Sequence, residues 1–297
     1  LYARRCLALQ DMALYVQAAA ACERARAMQG PGDWALLVSE WLAWAQGDLV
    51  QALHWNALVV KADSHSVGPY QRRADFLLTL GMAAEARKVL EQARIETQDR
   101  EAIDVSLARV AFYEGGADAL RARLASSQLD ESVHARTLIE TAYLHLFLGE
   151  PSQAYELMSH AMQAPDYDAG RLNAPWFARW GASDQLILAA CELETGRHDA
   201  AARHLREIAQ LIGRLLHDGE ERNGLYALRA EVLTLSGDSR GAMNALDQAV
   251  KLGWREAWWA RHEPYFTALW QRDDFRALMA HVDAANARMR SDPGLNQ

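Results

Sequence analysis

The sequence predicts an all-α fold, an α-solenoid of antiparallel helix pairs with a C-terminal helical cap. Three observations carry that expectation. Glycine recurs at a fixed interval, small residues recur at fixed offsets from each glycine, and the stretches between them place apolar residues three and four apart. That spacing is the period of a helix buried on one face.

Residues 42–58, LAWAQGDLVQALHWNAL, give the local unit: two apolar helical stretches around a Gly-Asp turn. Gly47, Gly81, Gly115 and Gly149 stand 34 residues apart, and Gly196 and Gly237 follow at 47 and 41. Five residues after each glycine come Ala52, Ala86, Ala154, Ala201 and Ala242, with Leu120 the exception. Seven residues before it come Ala74, Ala108, Ala142, Ala189 and Ala230, with Glu40 departing in the first copy. Twelve after are Val59, Ala93, Ser127, Ala161, Ile208 and Ala249, and a truncated earlier copy puts Cys6, Ala18 and Ala25 in the same columns. Small residues let helices approach closely, and the glycine supplies the left-handed residue at which a helix ends. Gly81→Val is therefore expected to cost about 1–2 kcal/mol in backbone strain.

Seven units result, at 1–32, 33–66, 67–100, 101–134, 135–168, 182–215 and 223–256, with insertions at 169–181 and 216–222. Residues 257–297 read as the cap. Pro264 opens a helix with Phe266, Leu269 and Trp270 on one face, and a second helix carries Phe275, Leu278, Met279 and Val282. A terminal repeat has an apolar side with no following neighbour, so an atypical covering segment is expected there.

Charge and composition exclude several functions. With 31 Lys+Arg against 39 Asp+Glu, the net charge of −8 opposes direct binding to nucleic acid. The richest apolar stretch, MALYVQAAAAC, is interrupted by Gln17 and followed by charge, so no segment inserts into a membrane. Cys6, Cys22 and Cys191 form no CxxC pattern and are odd in number, and they read as small core residues without a disulfide framework. The chain opens on Leu1 without a signal-peptide pattern, which suggests a piece trimmed from a longer protein or a processed one.

Two motifs invite catalytic readings. GDSRG, from Gly237 to Gly241, matches the nucleophile elbow by letter, but it falls on a helix–helix turn with no strand to present Ser239. HEPYF, from His262, lacks the second histidine of a zinc helix and contains Pro264. His160 has no partner in sequence, and His198 and His204 do not share a helix face. No catalytic residue, metal site or cofactor is expected.

The 34-residue spacing and its small-residue columns resemble the tetratricopeptide repeat over residues 1–256. The resemblance implies a right-handed superhelix whose first helices line a concave groove, chiefly at repeat positions 2, 5, 9, 12 and 13. Those positions supply Trp34, Trp41 and Trp44, then Asp75, then Arg109, Phe112 and Tyr113, then Arg136, Tyr143 and Phe147. Aromatic rings with arginines suit a protein or peptide segment, or a small ligand, although such rings also pack between helices. The Lys and Asn of the family's carboxylate clamp are missing, since positions 5 and 9 hold Leu37 and Trp41, Gln71 and Asp75, and Val105 and Arg109. Trp176, Phe177 and Trp180 in the first insertion are too apolar for a bare linker and are expected to cover the groove.

The C-terminal segment, through Gly253, Trp254, Pro264, Leu269, Asp274, Phe275 and Leu278, resembles the repeat ends of CadC-type winged-helix regulators and some adenylate cyclases. The resemblance implies the regulatory part of a bacterial signalling protein, with the DNA-binding or catalytic output module upstream of this chain, periplasmic if an upstream helix anchors it and cytoplasmic otherwise. The alternative is a structural scaffold of an envelope or secretion assembly, joined end to end through Trp258 or Trp270.

Overall fold

A helix with one apolar stripe must stack on a neighbour to bury it. The computed structural model describes residues 2–12, 14–29, 33–126, 134–167 and 178–296, and among these there are helices and turns but no strand. The pairs are α1 (Tyr2–Asp11) with α2 (Tyr15–Gln29), α3 (Asp33–Ala45) with α4 (Leu49–Ala62), and α5 (Val67–Thr79) with α6 (Ala83–Glu96). Next come the two arms of α7 (Arg100–Ser126), α8 (Ala135–Phe147) with α9 (Pro151–Ala161), α10 (Ala178–Glu194) with α11 (His198–His217), and α12 (Asn223–Leu235) with α13 (Ser239–Lys251). Short α14 (Ala257–Ala260), a 3₁₀ turn at Pro264–Leu269, α15 (Asp273–Arg290) and a last 3₁₀ turn at Pro293–Asn296 complete the chain.

The repeat columns are the core. Ala52, Ala86, Leu120, Ala154, Ala201 and Ala242 have no exposed surface, and Ala74, Ala108, Ala142, Ala189 and Ala230 have at most 1 %. Glu40, which breaks the second column, is equally buried and is held by the Arg72 guanidinium of α5, Nε to Oε1 2.5 Å. Burial raises the Glu40 pKa, and Arg72 pulls it back down.

Gly47, Gly81, Gly149, Gly196 and Gly237 take φ between 69° and 85°. The amide after each returns to the carbonyl five residues earlier, as in Asp48 N to Ala43 O and Asp238 N to Leu233 O, closing the helix end. Asp48 and Asp238 then cap the next helix by accepting from Gln51 N and Gly241 N.

Two expectations need correction. In unit 101–134 the left-handed residue is Gly116, at φ 67°, not Gly115, and α7 runs on through this kink. Adjacent glycines offer two candidates for the same role, and the second takes it. Cys6 and Cys22 are buried, as expected of core residues, but they are joined in a disulfide with Cα atoms 5.2 Å apart. Antiparallel packing of α1 on α2 brings distant columns face to face, which a search for closely spaced cysteines does not detect. Cys191 is a buried free thiol, its pKa pushed up to about 12 by desolvation.

After α13 the chain turns at Gly253 and reaches back to α4 and α5. Here two turns meet backbone to backbone. A Cβ on Gly253 would lie 2.5 Å from the Gln46 carbonyl carbon, and one on Gly47 would lie 2.3 Å from Gly253 O. Helix ends leave carbonyls without intrahelical partners, and this contact satisfies three of them. Asn223 Nδ2 donates to Ala45 O at 3.0 Å, Asn286 Nδ2 to Thr79 O at 3.1 Å, and Arg290 Nη1 to Leu80 O at 3.2 Å.

Candidate functional site

The inner helices do present most of the expected residues to one space, and the chain's own C-terminal segment fills much of it. Tyr113 stacks on Trp258 with centroids 4.2 Å apart. Phe112 meets Phe147 edge-on at 5.1 Å, and Phe147 meets Trp259 at 5.6 Å. Arg109 pairs with Asp75 at 2.9 Å and lies over the Trp259 ring, 5.0 Å from its centroid. The Tyr143 hydroxyl donates to the Glu263 carboxylate. Trp44 lies with Trp254 and Asn223 beside the Gly253 turn.

Three expected residues stand apart. Arg136 pairs with Glu140 at 2.8 Å and reaches Asp184 at 3.5 Å, away from this cluster. Trp34 and Trp41 lie at the other end of the array, edge to face at 6.2 Å. Trp41 packs on the Cys6–Cys22 core, while Trp34 keeps 46 % of its surface exposed. Trp176 and Phe177 lie outside the described residues, as does the side chain of Trp180, whose backbone belongs to α10.

Between the inner helices and the returning segment remains a cavity of about 100 Å³, lined by Asp75, Thr79, Arg109, Tyr143, Glu231, Trp254, Glu256, Trp259 and Glu263. Asp75 and Arg109 line it with part of their side-chain surface still accessible. Burial dominates the electrostatics. It raises the Asp75 carboxyl against the pull of Arg109, and it pushes Glu263 up to about 7 although Tyr143 donates to it. Burial with Glu263 and Glu256 nearby holds Glu231 well above the usual carboxylate range, and burial with Glu263 does the same to the Tyr143 phenol.

Glu231, Trp254, Glu256, Trp259 and Glu263 were not among the residues chosen from sequence. Glu231 occupies repeat position 9 of unit 223–256, the position that yields Asp75, Arg109 and Tyr143 in earlier units. Applying the same rule to the last unit would have found it. Trp254 and Glu256 follow α13 at the end of that unit, and Trp259 and Glu263 belong to the cap; there only the density of aromatic and acidic residues in GWREAWWARHEPYF gave a signal.

The catalytic motifs stay unassembled. Ser239 is the first residue of α13, after the Gly237 turn and the Asp238 cap. Among the described residues, no group of three His, Cys, Asp or Glu side chains is arranged to hold a metal ion, and no helix is long and apolar enough to cross a membrane.

No protein-family profile matches the chain, and no curated protein matches it in sequence. Solved structures do. A chain of the APC/C hetero-tetramer Cut9–Hcn1 is similar at 13 % identity and a TM-score of 0.55, with 91 % of this chain and 49 % of that one covered. This chain therefore spans about half the length of that neighbour. A tetratricopeptide repeat protein from Parabacteroides merdae ATCC 43184 is similar at 12 % identity and a TM-score of 0.41, with 95 % and 97 % covered. The first likeness is one of fold alone, and it places this chain among all-α helical-repeat architectures.

Proposed function

We propose that this chain is a non-catalytic protein-interaction domain, the regulatory part of a bacterial signalling protein, and that its partner segment docks at the N-terminal end of the inner face. The observation that supports this reading is the contrast between Trp34 and its counterparts. Trp34 is half exposed beside Trp41, whereas the inner aromatics of later units are covered by Trp258 and Trp259. An exposed tryptophan next to a second, better buried one is the kind of anchor that dominates protein interfaces.

The test is a peptide selection on the intact chain, repeated on Trp34→Ala. Enriched peptides should lose at least about tenfold in affinity, or about 1.4 kcal/mol, with the melt unchanged; peptides that bind both proteins equally refute the site. The signalling role is tested by reading the gene upstream of Leu1. A winged-helix pattern followed by an apolar stretch of about 20 residues supports it, and a bare signal peptide overturns it.

The scaffold alternative relied on Trp258 or Trp270 as free anchors. Trp258 is stacked on Tyr113, and the Trp270 indole donates to Ala260 O at 3.0 Å. Both are engaged within the chain, so no observation favours end-to-end assembly through them.

A further inference from the structure

Four carboxylates line the central cavity, and the protein sets one guanidinium among them. Arg109 is committed to Asp75, and Glu263 accepts the Tyr143 hydroxyl. Glu231 lines the same cavity, half-buried, and makes no hydrogen bond or ion pair among the described residues. A carboxylate in such a recess has lost part of its hydration without gaining a partner. It favours a proton or a cation that the chain does not supply.

The cavity selects what that cation is. Its 100 Å³ compares with the roughly 150 Å³ that accommodates benzene in an apolar cavity, so about four heavy atoms fit, the count of a guanidinium group. The carboxylates do not converge on one point as metal ligands would, and two of the walls are the indoles of Trp254 and Trp259. Flat walls and spread negative charge match a flat cation with spread positive charge. A guanidinium is also more weakly hydrated than an ammonium, so it loses less on entering a recess. The chain displays the mode once already, with Arg109 over Trp259 and paired with Asp75. Trp254 and Glu231 line the cavity with the same chemical parts.

We propose that the cavity binds a small planar organic cation of the guanidinium type, with Glu231 as its pairing carboxylate and Trp254 and Trp259 as its walls. This goes beyond the partner-binding reading and does not rest on it. Its test uses a pure small cation at the centre of the fold, so failure here leaves the Trp34 site standing, and the reverse.

The experiment is isothermal titration of methylguanidinium chloride into the intact chain at pH 8, with sodium chloride matched. Saturable one-to-one binding is expected, about tenfold weaker for methylammonium and absent for neutral acetamide. Glu231→Gln should weaken binding at least about tenfold while leaving the melt unchanged or raising it, since it removes like-charge repulsion. Glu221→Gln, an exposed change of the same charge, should leave binding unchanged. Should the glutamine variant fail to fold, Glu231→Asp, which keeps the charge but withdraws it, carries the same expectation. The charged and titratable groups around the site are Arg72, Asp75, Arg109, Glu140, Tyr143, Glu231, Glu256, Glu263 and Tyr265. The carboxylates must be ionised to receive a cation, so binding should weaken at pH 5.5. No saturable heat, equal binding of acetamide, or unchanged binding by Glu231→Gln overturns the proposal.

Discussion

The Gly47–Gly253 contact allows the closure of the array to be weighed by one methyl group. In Gly253→Ala the new Cβ would lie 2.5 Å from the Gln46 carbonyl carbon, 2.6 Å from its oxygen and 2.7 Å from Gly47 N. All three are backbone atoms, which cannot swing aside as a side chain would. Gly253 also has φ 105°, a conformation that L residues resist. Gly237→Ala is the control, because Gly237 has φ 85° and nothing within 4 Å of the added atom. It should lose only the strain, about 1–2 kcal/mol. Gly253→Ala adds an overpacking cost of about 1–3 kcal/mol, for a total of roughly 2–5 kcal/mol. At about 2 °C per kcal/mol for a chain of this length, the control should melt about 2–4 °C below wild type and Gly253→Ala about 4–10 °C below. Gly47→Ala should behave like Gly253→Ala, and the double variant should lose less than the sum, because both changes break one contact. Circular dichroism and tryptophan fluorescence followed in parallel would separate opening of the closure from melting of the helices. Equal losses in Gly237→Ala and Gly253→Ala would refute the reasoning.

Other substitutions test other levels of the structure. Gly81→Val should cost at least the backbone strain of about 1–2 kcal/mol, since its Cβ would also lie 2.9 Å from Arg290 Nη1, which bonds Leu80 O, and 3.1 Å from the Tyr113 hydroxyl, whose ring stacks on Trp258; an unchanged thermal melt would count against the turn. Burial keeps Glu263 protonated up to about pH 7, against an ordinary value of 4.5, so the folded state holds an extra proton between those values. Its contribution is fully present below pH 4.5 and is lost as pH rises to 7, amounting to about 3 kcal/mol. Glu263→Gln should therefore gain on wild type between pH 5 and pH 8 in paired melts, and a constant difference would contradict the shift. Reducing the Cys6–Cys22 bridge, which closes a loop with a sequence separation of 16, should destabilise α1 and α2 by about 3 kcal/mol. Hydrogen exchange under reductant should show this loss in α1 and α2 and not in α12.

The helix pairs were legible because each rests on local chemistry. A left-handed glycine, a small residue five positions on and another seven back are readable within one unit, and they mark α3 through α13 with little ambiguity. The Gly115–Gly116 pair shows the limit, since two neighbouring residues satisfy the same local rule. The Cys6–Cys22 bridge and the Glu40–Arg72 pair were hidden for a different reason. Each joins columns of neighbouring helices, and only the packing of one helix on the next brings them together. Of the cavity, Asp75, Arg109 and Tyr143 could be chosen from repeat position alone. Trp254 and Glu256, beyond the last helix of unit 223–256, and Trp259 and Glu263, in the cap, could not, because these stretches have no period from which to read a direction. The sequence treats residues 257–297 as a cover for the last repeat, and α15 does bury Phe275, Met279 and Val282. Nothing local reveals that the same segment also seals the inner face.

That sealing changes what the inner aromatics are for. An open groove presents Phe112, Tyr113 and Phe147 to a partner, whereas here their rings are used by Trp258 and Trp259. The aromatic energy goes into winding the array shut, and the polar residues one helical turn away are left facing the central cavity. Asp75 and Glu263 reach that centre from opposite ends of the sequence, and the Gly47–Gly253 contact holds the ends together. Anything that neutralises the carboxylates therefore favours the closed winding over an open one, and closure in turn favours neutralisation, because the two are linked equilibria. Protons supply this below about pH 7 at Glu263. A bound cation would supply it above. The Gly253→Ala variant, with its closure weakened and every cavity residue intact, should then bind methylguanidinium more weakly than wild type, whereas Gly237→Ala should bind it equally well. Equal affinity in all three proteins would show that the cavity and the closure are independent.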